Sequence, residues 1–534
     1  MRLVAQWPRL LGHILRRDKV FLPVWIIAVA LFCTVFVPFI DEIAGTPEQM
    51  SVLAEMMKNP AMVAMCGIMY SDDYTIGVMY TQLMIVWSAL LVAVMNILIV
   101  IRHTRTDEDE GRLEVIRALP VGRLANLAAV GVLMIAINLV LSVVTGFGMA
   151  AFGVVTIDLA GSLVYAAALG ACGLFFAALT MFVVQVFHSG RSATGFALAA
   201  LGALYLIRAY GDVSSETVAN LSPLGLMQRT KPFVTNDWWP VVVMVVVSLA
   251  LMTLGLVLNR LRDLGAGLLP QLRSRRVHAS AFLSGEWGLT WRLTRGTIVA
   301  WLITVFVFSA AYGTVMGDMQ SFVNSSPLYQ HMIGVDPSSP DIIGPLVTTL
   351  SLIIGMIGTI PVLTTAFKLR SEEVRGRMDY VVGKTVSRLR LYAGYAGLAV
   401  TVAVVAQVLN AFGFWMVATS VMANPVSISL VFKIAFNYLP ALLFLGGLGM
   451  FLVGWAKKLT WVGWAYLVAS FLVVYMGGMV EVPRWVMRLT PFGLLQRWPL
   501  EEFSWWPWIG LMAAAVVLVA GGAFGYRRRD LGTT

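Results

Sequence analysis

Long uninterrupted apolar runs, broken by short charged stretches, set the pattern of this chain. They lie near 20–40, 76–101, 124–153, 160–187, 193–210, 239–259, 296–316, 342–367, 391–421, 428–455, 460–480 and 505–525. Each is close to the roughly twenty residues that a helix needs to cross a bilayer. The runs are continuous rather than alternating, so they predict about twelve membrane-spanning helices instead of barrel strands. Ahead of the first run, "MRLVAQWPRLLGHILRRDK" sets Leu3, Trp7, Leu10, Leu11 and Ile14 on one helical face. Arg2, Gln6, Arg9, Arg16 and Arg17 fall largely on the other. That is the pattern of an interfacial amphipathic helix and not of a cleaved signal peptide.

Composition agrees: 59% of the 534 residues are hydrophobic, 12% are charged and the mean hydropathy is +0.82. With both termini placed in the cytoplasm, most Lys and Arg fall in inner segments, as the positive-inside rule requires. The net charge of +10 is then a topology signal and calls for no nucleic acid. Cys33, Cys66 and Cys172 have neither disulfide nor zinc spacing, and they read as apolar filler. His13, His103, His188, His278 and His331 are isolated, so no metal site is expected. The 28 Asp and Glu residues fall in loops or at span edges. Arg208 and Lys433, toward the outer ends of their spans, are placed to snorkel. An ion-coupled drug transporter, which needs a carboxylate within the membrane, is disfavoured on this reading. Asp72 and Asp73, in the first large outer loop, would suit the metal of a polyprenyl-dependent membrane glycosyltransferase. The second half of the chain has no matching pair, and two solvated acids near a helix start explain them better.

The charged stretches repeat. "TDEDEGRLEVIRALPVGR" at 106–123 aligns without a gap on "SEEVRGRMDYVVGKTVSR" at 371–388. Glu108/Glu373, Gly111/Gly376, Arg112/Arg377, Val121/Val386 and Arg123/Arg388 are identical, Leu124/Leu389 follows, and Glu114 faces Asp379. "LSPLGLMQR" at 221–229 matches "LTPFGLLQR" at 489–497, "DWWP" at 237–240 matches "SWWP" at 504–507, and "LRDLG" at 261–265 matches "RRDLG" at 528–532. Four matches in one order predict two homologous halves, 1–270 and 280–534, with the seam in the basic stretch 260–285. Six spans is an even number, so the repeats are parallel. Read locally, 106–123 is a short helix along the bilayer, started by Thr106 or Asp107 and stopped by Pro120. Leu113, Ile116 and Ala118 would face the membrane or a partner. "GKT" at 383–385 is no phosphate loop, because the glycine required five residues before Gly383 is Met378. Any ATP used must bind another polypeptide.

At these residues the chain resembles the membrane subunits of ATP-binding-cassette exporters, in particular the long, duplicated permeases of the polyketide-antibiotic or tetronasin type. Their hallmark is an "EE-x-GR-x-E" cluster with a "PVSR"-like tail after the second span. Here it stands as Glu108, Glu110, Gly111, Arg112 and Glu114, then Pro120-Val121-Gly122-Arg123. The second copy is Glu372, Glu373, Gly376, Arg377 and Asp379, then Val386-Ser387-Arg388, with Arg375 in place of an acid and Thr385 in place of the proline. The resemblance implies that both stretches are coupling helices, docking on two copies of a cytoplasmic ATPase that binds ATP and Mg²⁺. It implies no catalysis and no cofactor in this chain, a membrane elbow at the N-terminus, and outward movement of a hydrophobic or amphipathic compound, an antibiotic or drug, across the bacterial cell membrane. It also favours spans 2 and 8 at the central interface, where Gln82, Asn96, Thr348, Thr349 and Thr359 are candidates to line the pathway. Their alternative role, shared with Asn138, Gln407 and Asn410, is to hold helices together by hydrogen bonds.

Overall fold

The computed structural model describes residues 3–44, 47–58, 60–263, 265–269, 283, 285–314, 316, 343–378, 386–422, 426–476 and 483–529. Among them every regular element is helical, and 11 helices are long and apolar enough to cross a membrane. Numbered in chain order, these are span 1 (Phe21–Ile40), span 2 (Ile76–Asp109), span 3 (Ala125–Ala150), span 4 (Leu159–Val186), span 5 (Gly190–Ser214), span 6 (Trp239–Leu261), span 7 (Glu286–Thr314), span 8 (Val347–Val374), span 9 (Arg388–Val421), span 10 (Ile428–Trp455) and span 12 (Trp505–Arg528). The run expected as span 11 forms the shorter apolar helix Thr460–Met476, of 17 described residues. The protein is a polytopic all-helical membrane protein.

Local chemistry sets the span starts. Asp158 accepts a hydrogen bond from Gly161 N at 3.0 Å ahead of span 4, and Ser189, Ser387 and Ser427 cap spans 5, 9 and 10. Each oxygen satisfies an amide that has no partner within its own helix, a need that is acute where water is scarce. Prolines 240 and 440 sit in first turns, where a missing N–H costs nothing.

The chain divides into two compact units, Met1–Ser274 and Arg275–Thr534. In the first unit the Gly/Ala-rich span 4 is central and packs against spans 2, 3 and 6. Small side chains allow that close approach, and dispersion and hydrogen bonds hold helices together where the lipid is as apolar as they are. Buried polar groups are paired across it: Ser88 Oγ lies 2.7 Å from Tyr165 Oη, and Asn138 Nδ2 donates to Asn96 Oδ1 at 2.7 Å. Cys33, Cys66 and Cys172 are free and buried. In the second unit span 9 packs along span 7, span 10 along span 12, and span 8 touches spans 7, 9 and 10.

The expected amphipathic helix spans Trp7–Arg17. Its lead-in is fixed by backbone: Gly122 N donates to Ala5 O at 3.0 Å and Leu124 N to Leu3 O at 2.9 Å. A Cβ at position 122 would collide with the Leu3 carbonyl, so this approach requires glycine. Ser387 occupies the aligned position of the second unit.

Candidate functional site

The charged stretch is not a separate helix begun by Thr106 or Asp107, as its sequence suggests. Span 2 runs on through one π turn, Arg102–Thr106, to Asp109. The break comes at Gly111, whose φ of +74° suits glycine, and a short helix follows over Arg112–Arg117. In the second unit the helix of span 8 continues to Val374, and Gly376 breaks it with φ +66°. Gly111 N donates to Glu108 O at 3.0 Å, and Gly376 N to Glu373 O at 2.9 Å. The acids therefore ride on the ends of deeply packed helices.

Their side chains point inward. Glu108 accepts from Arg262 Nη2 at 2.8 Å and from Gly265 N at 2.7 Å, and lies 3.0 Å from Arg105 Nη1. Glu373 accepts from Arg529 Nη2 at 2.6 and 2.7 Å, with Arg370 at 3.5 Å. Arg262 and Arg529 are the arginines of the two repeated "RDLG" motifs, so the clamp joins two sequence repeats in each unit. Arg123 Nη2 donates to Arg262 O at 2.7 Å, and Arg388 Nη1 to Arg529 O at 2.9 Å. The second acidic position recurs as well: Arg112 pairs with Asp107 at 2.7 Å and Arg377 with Glu372 at 3.1 Å. Each clamp fastens the loop after the second span of its unit to the end of the last.

The site residues predicted from sequence thus separate into two groups. Glu108, Glu372 and Glu373 are buried and spent on partners within the chain, so they are struts and not surface contacts. Arg123 and Arg388 brace the same struts. Glu110, Arg112, Glu114 and Arg377 are exposed, as are Val115 and Leu119. Gly111 and Gly376 act through the backbone. Asp379 lies outside the described residues. Unit 1 adds the N-terminal helix: Arg17 reaches Asp107 at 3.0 Å, and Asp18 holds Arg102 and His103, each at 3.0 Å. Sequence reasoning missed Arg105, Arg262, Arg529, Asp18 and His103. The signal for two of them was present, since "RDLG" recurs together with the acidic cluster.

The polar residues proposed for a pathway are engaged within their own units. Gln82 accepts from Tyr74 Oη and donates to Gly67 O, both at 3.0 Å. Asn96 is locked to Asn138. Thr348 Oγ1 lies 2.9 Å from both Gly344 O and Trp498 O and shares its one proton between them, and Thr359 donates to Gly355 O. Thr349 is half-buried. Of these contacts the Asn96–Asn138 pair joins two spans, whereas Thr359 bonds back to its own helix.

At the opposite end of unit 1, Arg208 does not snorkel. It is fully buried, pairs with Asp212 at 3.1 Å and donates to Ala64 O at 2.8 Å. Span 5 extends to Ser214, so Asp212, counted from sequence as a loop acid, sits on the span itself. The segment before span 2 covers the pair, and burial pushes the neighbouring Cys66 thiol up to about 11, against the pull of Arg208. Lys433 is exposed, Asp72 and Asp73 are exposed, and no group of three or more potential metal ligands occurs among the described residues.

A membrane-embedded helical protein with one ionic clamp repeated at the ends of two units is the class that fold and site define. Comparison supplies the family. The profile described as "Multidrug efflux system permease Rv1217c, C-terminal domain" matches residues 9–260 and 283–527, and the chain belongs to that family. It is 29% identical over 533 residues to the Multidrug efflux system permease protein Rv1217c of Mycobacterium tuberculosis (strain ATCC 25618 / H37Rv), covering 98% of this chain and 94% of that protein.

Proposed function

We propose that the chain is the membrane-spanning subunit of a bacterial efflux transporter that expels hydrophobic or amphipathic compounds, drugs or antibiotics among them. The work comes from ATP hydrolysed with Mg²⁺ on two copies of a separate ATP-binding-cassette subunit, and this chain catalyses nothing. The basic ends of both units, with both termini, face the cytoplasm under the positive-inside rule. The full-length relationship to a permease named for multidrug efflux supports the reading. The observation that carries it is the clamp. Glu108–Arg262 and Glu373–Arg529 make each loop rigid with the last span of its unit, so a push on the exposed face of the loop reaches the transmembrane helices directly. A solvated connector has no need of a buried ion pair.

One observation favours a second reading, ion-coupled efflux: Arg208 and Asp212 form a buried ionisable pair on a span. Efflux from vesicles holding the permease and its ATPase separates the two. ATP should drive efflux, and an uncoupler that collapses the proton gradient should leave it intact. Efflux driven by a pH jump without ATP would establish the ion-coupled reading instead.

A further inference from the structure

A recess opens at the basic end of unit 1, lined by Arg105, Arg117, Arg123, Arg262, Glu108 and Asn126, with the last turns of spans 4 and 6 behind them. Four arginines face one carboxylate there. Glu108 is saturated by Arg262, Gly265 and Arg105. Arg123 spends one Nη on a carbonyl, and its nearest acid, Asp263 at 3.7 Å, is almost fully exposed, where screening leaves such a pair little strength. Arg117 is half-buried and makes no ion pair or hydrogen bond among the described residues. Burial, then the charge of Arg123, depress its pKa against the pull of Glu108, with Arg262 adding to the depression. Arg262 Nε is buried without an acceptor, although the side chain is only 5% exposed. A buried donor without an acceptor is costly, and a cluster of like charges more so.

We infer that this recess binds a phosphate-type oxyanion, held by Arg117 with the unpartnered Nε of Arg262. Guanidinium forks match tetrahedral oxyanions better than point charges do. The first turn of span 3 and the last turns of spans 4 and 6 line the recess, which sets it at the depth of lipid headgroups, where basic pockets between helices take phosphates. The aligned position in unit 2 is Val382 instead of Arg117, so the arginine is particular to the first unit. The inference goes beyond the transport reading and stands whether or not that reading holds.

The test uses the full chain in non-ionic detergent. One arm compares thermal stability in sodium phosphate and in sodium chloride at equal ionic strength. The other compares retention of phosphatidylglycerol and phosphatidylcholine by native mass measurement. Wild type should be stabilised saturably by phosphate, retain phosphatidylglycerol selectively, or both; the first points to a free anion and the second to a headgroup. Arg117→Ala should weaken whichever effect appears by about tenfold or more, the loss expected for a hydrogen-bonded charge. Arg117→Lys should restore part of it, and Arg488→Ala, an exposed arginine of unit 2, should change nothing. No selective effect of either probe on wild type, or an effect undiminished in Arg117→Ala, would overturn the assignment.

Discussion

The basic ends of the two units share a clamp and differ around it. The clamp positions recur: Glu108 and Glu373 as struts, Arg262 and Arg529 as their partners, Arg123 and Arg388 as braces. Several positions around them diverge. Glu110, which pairs with Arg112, becomes Arg375 beside Arg377, so an acid gives way to a base at that position. Supporting cations diverge too. Asp107 takes Arg17 from the N-terminal helix, whereas Glu372 takes Lys368 from its own helix one turn back, at 3.0 Å. Lys368 stands where unit 1 has His103. The recurring part includes the pairs whose loss would strand a buried carboxylate; the exposed Glu110 and the cation that supports the second acid are not retained. If both faces dock the proposed ATPase, they should grip identical subunits with unequal strength.

The sharpest break of the comparison lies in the struts. Glu108→Ala should cost about 3–5 kcal/mol by leaving Arg262 and Arg105 buried without their acid, and Glu373→Ala a similar amount through Arg529. Thermal unfolding in detergent measures both, and buried-acid variants as stable as wild type would remove the clamp from the account. A smaller effect is expected at the helix staples. Asn96→Ala removes the donor to Asn138 Oδ1 and leaves Asn138 Nδ2 only the Met134 carbonyl, and should cost about 1–3 kcal/mol. Asn410→Ala in the second unit should behave alike, because Asn410 bonds Ser309, Gln407 and the Ser351 carbonyl. If these variants altered substrate selectivity at unchanged stability, the residues would be pathway groups after all. The smallest effect on folding belongs to the surface: Glu110→Lys with Glu114→Lys should shift stability by less than about 0.5 kcal/mol. That pair should nonetheless weaken ATPase binding, and Arg375→Glu should disturb it differently, since the two faces differ in charge.

Much of this was legible in the sequence. Span positions followed from run length, because a helix in lipid must satisfy its own backbone and leaves an unbroken apolar signature. The amphipathic helix at Trp7–Arg17 and the repeated motifs were visible for the same reason, being local patterns. What stayed hidden was pairing at long range. Nothing in the spacing of Glu108 and Arg262 says that they meet, and a cluster of acids reads as solvated until its partners are known. Thr106 looked like a cap because polar residues near an apolar run favour caps, yet the π turn carries span 2 past it to the glycine that can turn the chain. Asp212 looked like a loop acid because the run seemed to end near residue 210, while the buried Arg208 one turn earlier lets the helix continue.

The central claim is that one chain presents two docking faces. The mass of the purified particle containing permease and ATPase tests it most directly. One permease chain with two ATPase subunits is expected, and titration should show the second subunit binding with a different affinity from the first. A particle with two permease chains, or one that saturates at a single ATPase, would contradict it.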